Sequence, residues 1–214
     1  MEPVRIAHHV LAVLLVAVAW LVWRRRRDHL ALALYLTFMS AGDFVRLCYL
    51  PHLRSAPRPY AGWHLLLSHA DVLLVLGWSF LFAACMVHYF LGRRPTAIYG
   101  AYGAIWLICL NYPLVSGDVY AWVLRAVSLG CLLLSWACIG YAVLRRAALR
   151  PGLAHLVLML YAANDVVLNL IPWAKGFFGY WYLVRYSNVV LYAACCGAHL
   201  YVLAARRHAA PVEA

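Results

Sequence analysis

Seven long apolar runs are the feature that most restricts how this chain can fold. They lie at roughly residues 7–23, 29–50, 63–91, 97–115, 119–144, 152–172 and 179–205. A helix needs about 20 consecutive apolar residues to cross a bilayer, and each run reaches or approaches that length. We therefore predict an all-α fold, a bundle of seven transmembrane helices that forms one multi-pass domain over residues 1–214.

The composition points to the same class of protein. Hydrophobic residues make up 67% of the chain and charged residues only 12%, whereas soluble domains carry about 25% charged residues. The formal charge of +11 would also suit a nucleic-acid-binding protein, but the arginines cluster at the ends of the apolar runs. That position is typical of topology signals, so we expect the lipid bilayer as a partner and no nucleic acid.

Positive charge alternates along the connections and predicts the orientation. Arginine groups follow the first, third, fifth and seventh runs, at Arg24–Arg27, Arg93–Arg94, Arg145–Arg150 and Arg206–Arg207. Because cytoplasmic loops are rich in Lys and Arg, these connections and the C-terminus are predicted to be cytoplasmic and the N-terminus outside. Arginines, and no small-residue cleavage site, follow the first run, so we expect a retained helix in the plasma or inner membrane.

Two stretches of the chain resemble each other and predict an internal repeat. Residues 30–47 can be laid over 153–170, with Asp43 and Asp165 within one position of each other. Residues 68–74 can be laid over 185–191, with Asp71 opposite Asn188. This predicts a 3+1+3 arrangement, two parallel three-helix repeats joined by the fourth helix, a plan found in several transporter folds.

Polar side chains interrupt the apolar runs at similar predicted depths in the outer half of the membrane, counting about 1.5 Å per helical residue. This polar layer comprises Asp43, Arg46, Asp71, Arg125, Asn164, Asp165, Asn169, Arg185, Asn188 and Tyr192. A charge inside a membrane costs several kcal/mol unless it is paired or hydrated. The layer is interpreted either as a hydrated cavity that binds a polar ligand, or as a neutral hydrogen-bonded network that holds the helices in register.

The last run extends the layer into a stripe, Arg185, Asn188, Tyr192, Cys195 and His199, whose spacing of three and four places it on one helix face. The histidines lack the spacing of a metal or haem site, so we predict no metal and no cofactor. The chain has seven cysteines, all in apolar runs, where they are expected to act as small packing residues. The only lysine, Lys175, lies in a connection, which disfavours a retinal Schiff base.

The segments Ser40-Ala-Gly-Asp43-Phe-Val-Arg-Leu47 and Asn164-Asp165-Val-Val-Leu168, followed later by Tyr192-Ala-Ala, resemble the lysoplasmalogenase family of multi-pass membrane hydrolases. The resemblance implies a membrane-embedded enzyme that cleaves vinyl-ether lysolipids. It further implies that Asp43 and Asp165 are catalytic, one as general acid toward the vinyl ether and the other activating water.

Three functions therefore remain open from the sequence. The leading prediction is binding and translocation of a small polar or charged solute or ion through the polar layer. The second is hydrolysis of an ether lysolipid by Asp43 and Asp165. The third is a seven-helix sensor or membrane subunit that acts through a partner protein or a second copy of itself.

Overall fold

A computed structural model describes residues 3–55, 62–111, 117–144, 152–170 and 180–205. Within these helices it leaves undescribed the side chains of residues 46–55, 68, 71–72, 75, 108–111, 117–125, 128, 165–170 and 180–185. Over the described ranges the chain forms seven α-helices and one short 3-10 helix, and no strand. The predicted all-α fold class is confirmed.

Each apolar run forms one α-helix. The helices are α1 (Pro3–Arg25), α2 (Leu30–Ser55), α3 (Gly62–Leu91), α4 (Thr96–Asn111), α5 (Gly117–Leu144), α6 (Leu153–Leu170) and α7 (Tyr180–Ala205). A 3-10 helix, Arg27–His29, connects α1 to α2. The second run was expected to end at residue 50, but α2 continues through Pro51 to Ser55. Proline lacks the N–H of one helical hydrogen bond, but the residues after it can still continue the helix.

The turn between α3 and α4 shows how the sequence sets a helix boundary. Gly92 has a φ of 63° and follows the last residue of α3. Its N–H donates to the His88 carbonyl at 3.1 Å, and the N–H of Arg93 donates to the Val87 carbonyl at 3.4 Å. Glycine adopts this left-handed conformation without strain, which explains why it ends the helix. Pro95 then precedes α4, where a missing N–H costs nothing.

The chain divides into two compact units. Unit 1 comprises residues 1–33 and 150–214, and so contains α1, the 3-10 helix, α6 and α7. In it α1 packs along α7, and α6 packs against α7. The Cys196 thiol lies 3.7 Å from the Leu11 carbonyl, and Arg25 donates to the Leu203 carbonyl at 3.3 Å. From the Leu11–Cys196 contact to the Arg25–Leu203 contact, the residue numbers increase along both helices, so α1 and α7 run parallel.

Unit 2 comprises residues 34–149, with most of α2 and all of α3, α4 and α5. Its core contains Leu76, Phe80, Ala83 and Cys131, with Ile98, Tyr102, Ile105 and Val127 packed around them. Two glycines allow close approach of helices in this unit. A Cβ on Gly42 would lie 2.6 Å from the Trp78 ring, and one on Gly77 would lie 2.7 Å from Phe38.

Two helical segments in the described part of the chain are both long and apolar enough to cross a membrane. They are Pro3–Arg25 in α1 and Tyr186–Ala205 in α7. Three further apolar segments are shorter: Leu76–Leu91, Leu129–Leu144 and Leu153–Asn164.

Candidate functional site

One face of α7 carries polar side chains into the interior of unit 1. Asn188 is half-buried, and Tyr192, Cys195 and His199 are 1%, 0% and 0% exposed. Their spacing of four, three and four residues keeps them on one side of the helix. We call these four residues the α7 polar face. It contains four members of the predicted stripe, whereas the side chain of Arg185 lies outside the described residues.

Two residues of the predicted polar layer meet at the Asn188 end of this face. Asn164 of α6 donates from Nδ2 to Oδ1 of Asn188 of α7 across 3.3 Å. A carboxamide has two donors and two acceptor positions, so each side chain can also hydrogen-bond a third group. The pair therefore joins α6 to α7 and retains the capacity to bind a polar ligand.

Tyr192 contacts α1 through a residue outside the predicted stripe and polar layer. Its ring stacks on that of His8, with centroids 5.0 Å apart and planes 17° apart. His8 is 2% exposed. A signal was present, since His8 lies four residues before Ala12 and seven before Leu15, both on the buried face of α1. Helical periodicity alone would have placed His8 inside the bundle.

His199 at the other end of the α7 polar face has a defined hydrogen-bonding state. Its Nδ1 lies 2.7 Å from the Cys195 carbonyl oxygen. A carbonyl can only accept, so Nδ1 carries the proton, and Nε2 of the neutral ring holds a lone pair. Nε2 is buried and has no hydrogen-bond partner among the described residues. His29, 3% exposed in the 3-10 helix, is close enough to interact with His199 electrostatically.

The other members of the predicted layer are only partly described. Asp43 lies on α2 in unit 2, where it is half-buried and interacts with other groups. Asp165 directly follows Asn164 in α6. The side chains of Arg46, Asp71, Arg125, Asp165, Asn169 and Arg185 lie outside the described residues. The hydrolase prediction needs the side chains of Asp43 and Asp165 close together, and this arrangement also lies outside the described residues.

The cysteines and histidines do not converge on a metal centre where the structure describes them. No group of three or more His, Cys, Asp or Glu side chains in those ranges could hold a metal ion. Cys85, Cys131, Cys138, Cys195 and Cys196 are buried free thiols. Burial among apolar side chains suits packing.

No family model, characterised protein or solved structure matches this chain. The resemblance to lysoplasmalogenases stays a prediction. The geometry defines an all-α protein whose last helix presents a buried polar face to its neighbours, and its function has to be argued from those residues.

Proposed function

We propose that this chain is a multi-pass membrane protein of seven transmembrane helices that binds a small polar or charged solute or ion and translocates it. The observation that carries the proposal is the α7 polar face. Buried polar groups in a membrane helix are costly, and they commonly mark the path of a substrate or ion.

The length of this face supports a role in translocation. From Asn188 to His199 the helix rises about 16 Å at 1.5 Å per residue, roughly half of a hydrocarbon core that is about 30 Å thick. The face thus links the predicted outer polar layer, where Asn164 and Asp165 lie, to the inner half of the membrane. The side chains of Tyr192 and Cys195 are buried along this face. A solute can therefore pass only if α7 moves relative to α1 or α6, as expected for alternating access.

The 3+1+3 repeat belongs to the same proposal. It makes α5, α6 and α7 the equivalents of α1, α2 and α3. The pairing of α1 with α7 in unit 1 then corresponds to the pairing of α5 with α3 in unit 2, and each is the most extensive pairing of its unit. In addition, α2 begins at Leu30 and α6 at Leu153, the two residues that the sequence alignment superposes.

The two repeats differ where function is expected. Superposing residues 68–74 on 185–191 makes Val75, Trp78 and Phe82 of α3 the equivalents of Tyr192, Cys195 and His199. Asn188 has a polar equivalent in Asp71, but the other three positions of the α7 polar face are occupied by apolar or aromatic residues in α3. A duplicated scaffold in which one copy alone continues the polar face beyond this position favours a single translocation path next to α7.

Proton flux into liposomes tests the proposal. The purified protein is reconstituted with a pH-sensitive dye inside, and a potassium gradient with valinomycin drives protons inward. Influx is measured alone and with amino acids, organic acids or organic cations outside. We expect protein-dependent influx that Asp165→Asn and Asp43→Asn each reduce to the rate of empty liposomes, because a carboxamide cannot carry the proton or charge.

The matched control is Asp28→Asn. Asp28 is exposed, lies in the connection after α1, and its carboxylate is 3.7 Å from Arg26, so this change should leave the flux intact. Full activity in both the Asp43 and Asp165 variants would make the polar layer structural, and failure of both to accumulate in membranes would make it a folding element. Aldehyde release from a vinyl-ether lysolipid, without flux, would instead favour the hydrolase.

A further inference from the structure

An amphipathic groove lies between the C-terminal parts of α1 and α7 in unit 1. It has a volume of about 440 Å³ and is lined by Leu21 and Arg25 of α1 and by Leu200, Leu203 and Ala204 of α7. Leu21 and Leu200 are 48% and 53% exposed. As far as the described residues show, the groove therefore has open aliphatic walls and one cationic side chain, that of Arg25.

Arg25 is held at the groove by the end of α7. Its Nη1 donates to the Leu203 carbonyl at 3.3 Å. Leu203 lies in the last turn of α7, which ends at Ala205, and the final carbonyls of a helix lack partners within it. A guanidinium has five N–H donors, so this bond leaves others to bind an anion. The cation is thus positioned at the groove.

The neighbouring arginines make different contacts. Arg26 lies 3.7 Å from the carboxylate of Asp28, and the Arg27 guanidinium lies 4.9 Å from the centre of the Trp23 ring. Arg25 is the arginine of this run that lines the groove. The cluster as a whole concentrates positive charge beside it.

The groove lies where a membrane interface is expected. Trp20 and Trp23 pack edge to face on α1, with centroids 5.0 Å apart, and tryptophan is enriched at the boundary between lipid and water. Leu21 lies between them in the sequence, and Arg25 lies one turn further on, about 6 Å along the helix. The aliphatic end therefore faces the hydrocarbon side of the boundary and Arg25 the aqueous side.

We propose that this groove binds an anionic phospholipid, with the phosphate at Arg25 and an acyl chain along Leu21 and Leu200. Charge complementarity selects this ligand, since the groove pairs a fixed guanidinium with an apolar channel. A bound lipid contacts both α1 and α7, so it stabilises their pairing. The inference rests on the proposal that α1 and α7 span a membrane, but it is independent of transport.

Thermal unfolding of the delipidated full-length protein in detergent provides the test. Short-chain phosphatidylglycerol is titrated against phosphatidylcholine with the same chains and against inorganic phosphate. We expect phosphatidylglycerol alone to raise the melting temperature, because a ligand that binds only the folded state stabilises it. Arg25→Gln should weaken the apparent affinity about tenfold, the scale of one lost charge-assisted hydrogen bond.

Two further variants make the result specific. Arg93→Gln with Arg94→Gln removes two exposed arginines that follow α3, outside the groove, and should leave the affinity unchanged. Leu200→Trp fills the groove while Arg25 stays in place, and should abolish the shift even if Arg25→Gln fails to fold.

Several outcomes would overturn the proposal. The first is a melting temperature that rises equally with phosphatidylcholine, and the second is a rise with inorganic phosphate alone. The third is an equal loss of affinity for phosphatidylglycerol in the Arg93 and Arg94 variant. The fourth is a dimer that forms without lipid and is prevented by Leu200→Trp, because a second copy of the chain would then occupy the groove. Loss of proton flux with lipid binding intact would overturn the transport proposal and leave this one standing. If alkaline carbonate extracted the protein from membranes, α1 and α7 would not span the bilayer, and both proposals would be overturned.

Discussion

At the scale of single residues, His199 is the group of the α7 polar face that offers a buried ring nitrogen, Nε2, without a hydrogen-bond partner among the described residues. Its Nδ1–H is committed to the Cys195 carbonyl, so Nε2 is the atom that accepts. We predict that His199→Leu abolishes proton influx into liposomes, while the variant still folds because leucine occupies a similar volume in a buried site.

His69 provides a matched control for this prediction. Its Nδ1 lies 2.8 Å from the Leu65 carbonyl, the same contact one turn back in α3, but it belongs to unit 2. His69→Leu should leave the influx unchanged. If His199→Leu transports normally, or if both variants lose transport equally, the α7 polar face is not the path.

The Asn164–Asn188 contact is a second residue-scale prediction. Side-chain hydrogen bonds between membrane helices contribute about 0.6 kcal/mol on average. A double-mutant cycle with Asn164→Ala and Asn188→Ala, followed by unfolding in SDS, should therefore give a coupling energy of about that size. Asn164→Ala combined with Ser135→Ala, whose hydroxyl bonds the Cys131 carbonyl of its own helix, should be additive. A coupling near zero in the first cycle would show that the carboxamides do not interact.

At the scale of helices, Gly77 sets how closely α3 approaches two neighbours in unit 2. A Cβ there would lie 2.7 Å from the Phe38 ring of α2 and 3.0 Å from the Tyr102 hydroxyl of α4. That hydroxyl donates to the Leu73 carbonyl at 3.0 Å. We predict that Gly77→Ala lowers the free energy of unfolding by about 1–3 kcal/mol, because the added methyl group would overlap the Phe38 ring and crowd a Tyr102 hydroxyl that holds a hydrogen bond.

Gly103 of α4 is the control for this substitution. Within the described part of the chain, no atom lies within 4 Å of a Cβ placed on it, so Gly103→Ala should be neutral or stabilise by up to about 1 kcal/mol through helix propensity. Thermal unfolding of both variants in the same detergent makes the comparison. A Gly77→Ala protein as stable as Gly103→Ala would mean that α2, α3 and α4 are not closely packed.

The helices themselves were predictable, and their partners were not. Apolar length located all seven because each run is bounded by arginine, proline or glycine, as at Gly92 and Pro95. The i, i+3, i+4 rule also placed Asn188, Tyr192, Cys195 and His199 on one face. It could not show that Tyr192 meets His8 or that Cys196 meets Leu11, since these contacts depend on which helices pair. Periodicity identifies which face of a helix is buried, but not which neighbouring helix packs against that face.

At the scale of the whole molecule, unit 1 is built from both ends of the chain. Leu11 and Cys196, in contact between α1 and α7, are 185 residues apart. Bringing residues so far apart in the sequence together costs loop-closure entropy. The packing of α1 on α7 has to contribute more free energy than this cost. Unit 1 therefore needs α1 and α7 together.

A split protein tests this dependence. We predict that fragments 1–149 and 150–214, separated in the connection between α5 and α6 and produced together, purify as one complex, because α1 in the first fragment buries apolar surface against α7 in the second. Ala12 is 5% exposed, and its neighbour Val13 is 71% exposed. Ala12→Trp should reduce recovery of the complex through overpacking, and Val13→Trp should not. Equal recovery with both variants would show that the buried face of α1 does not hold the fragments together, and the parallel α1–α7 pair would then have to be given up.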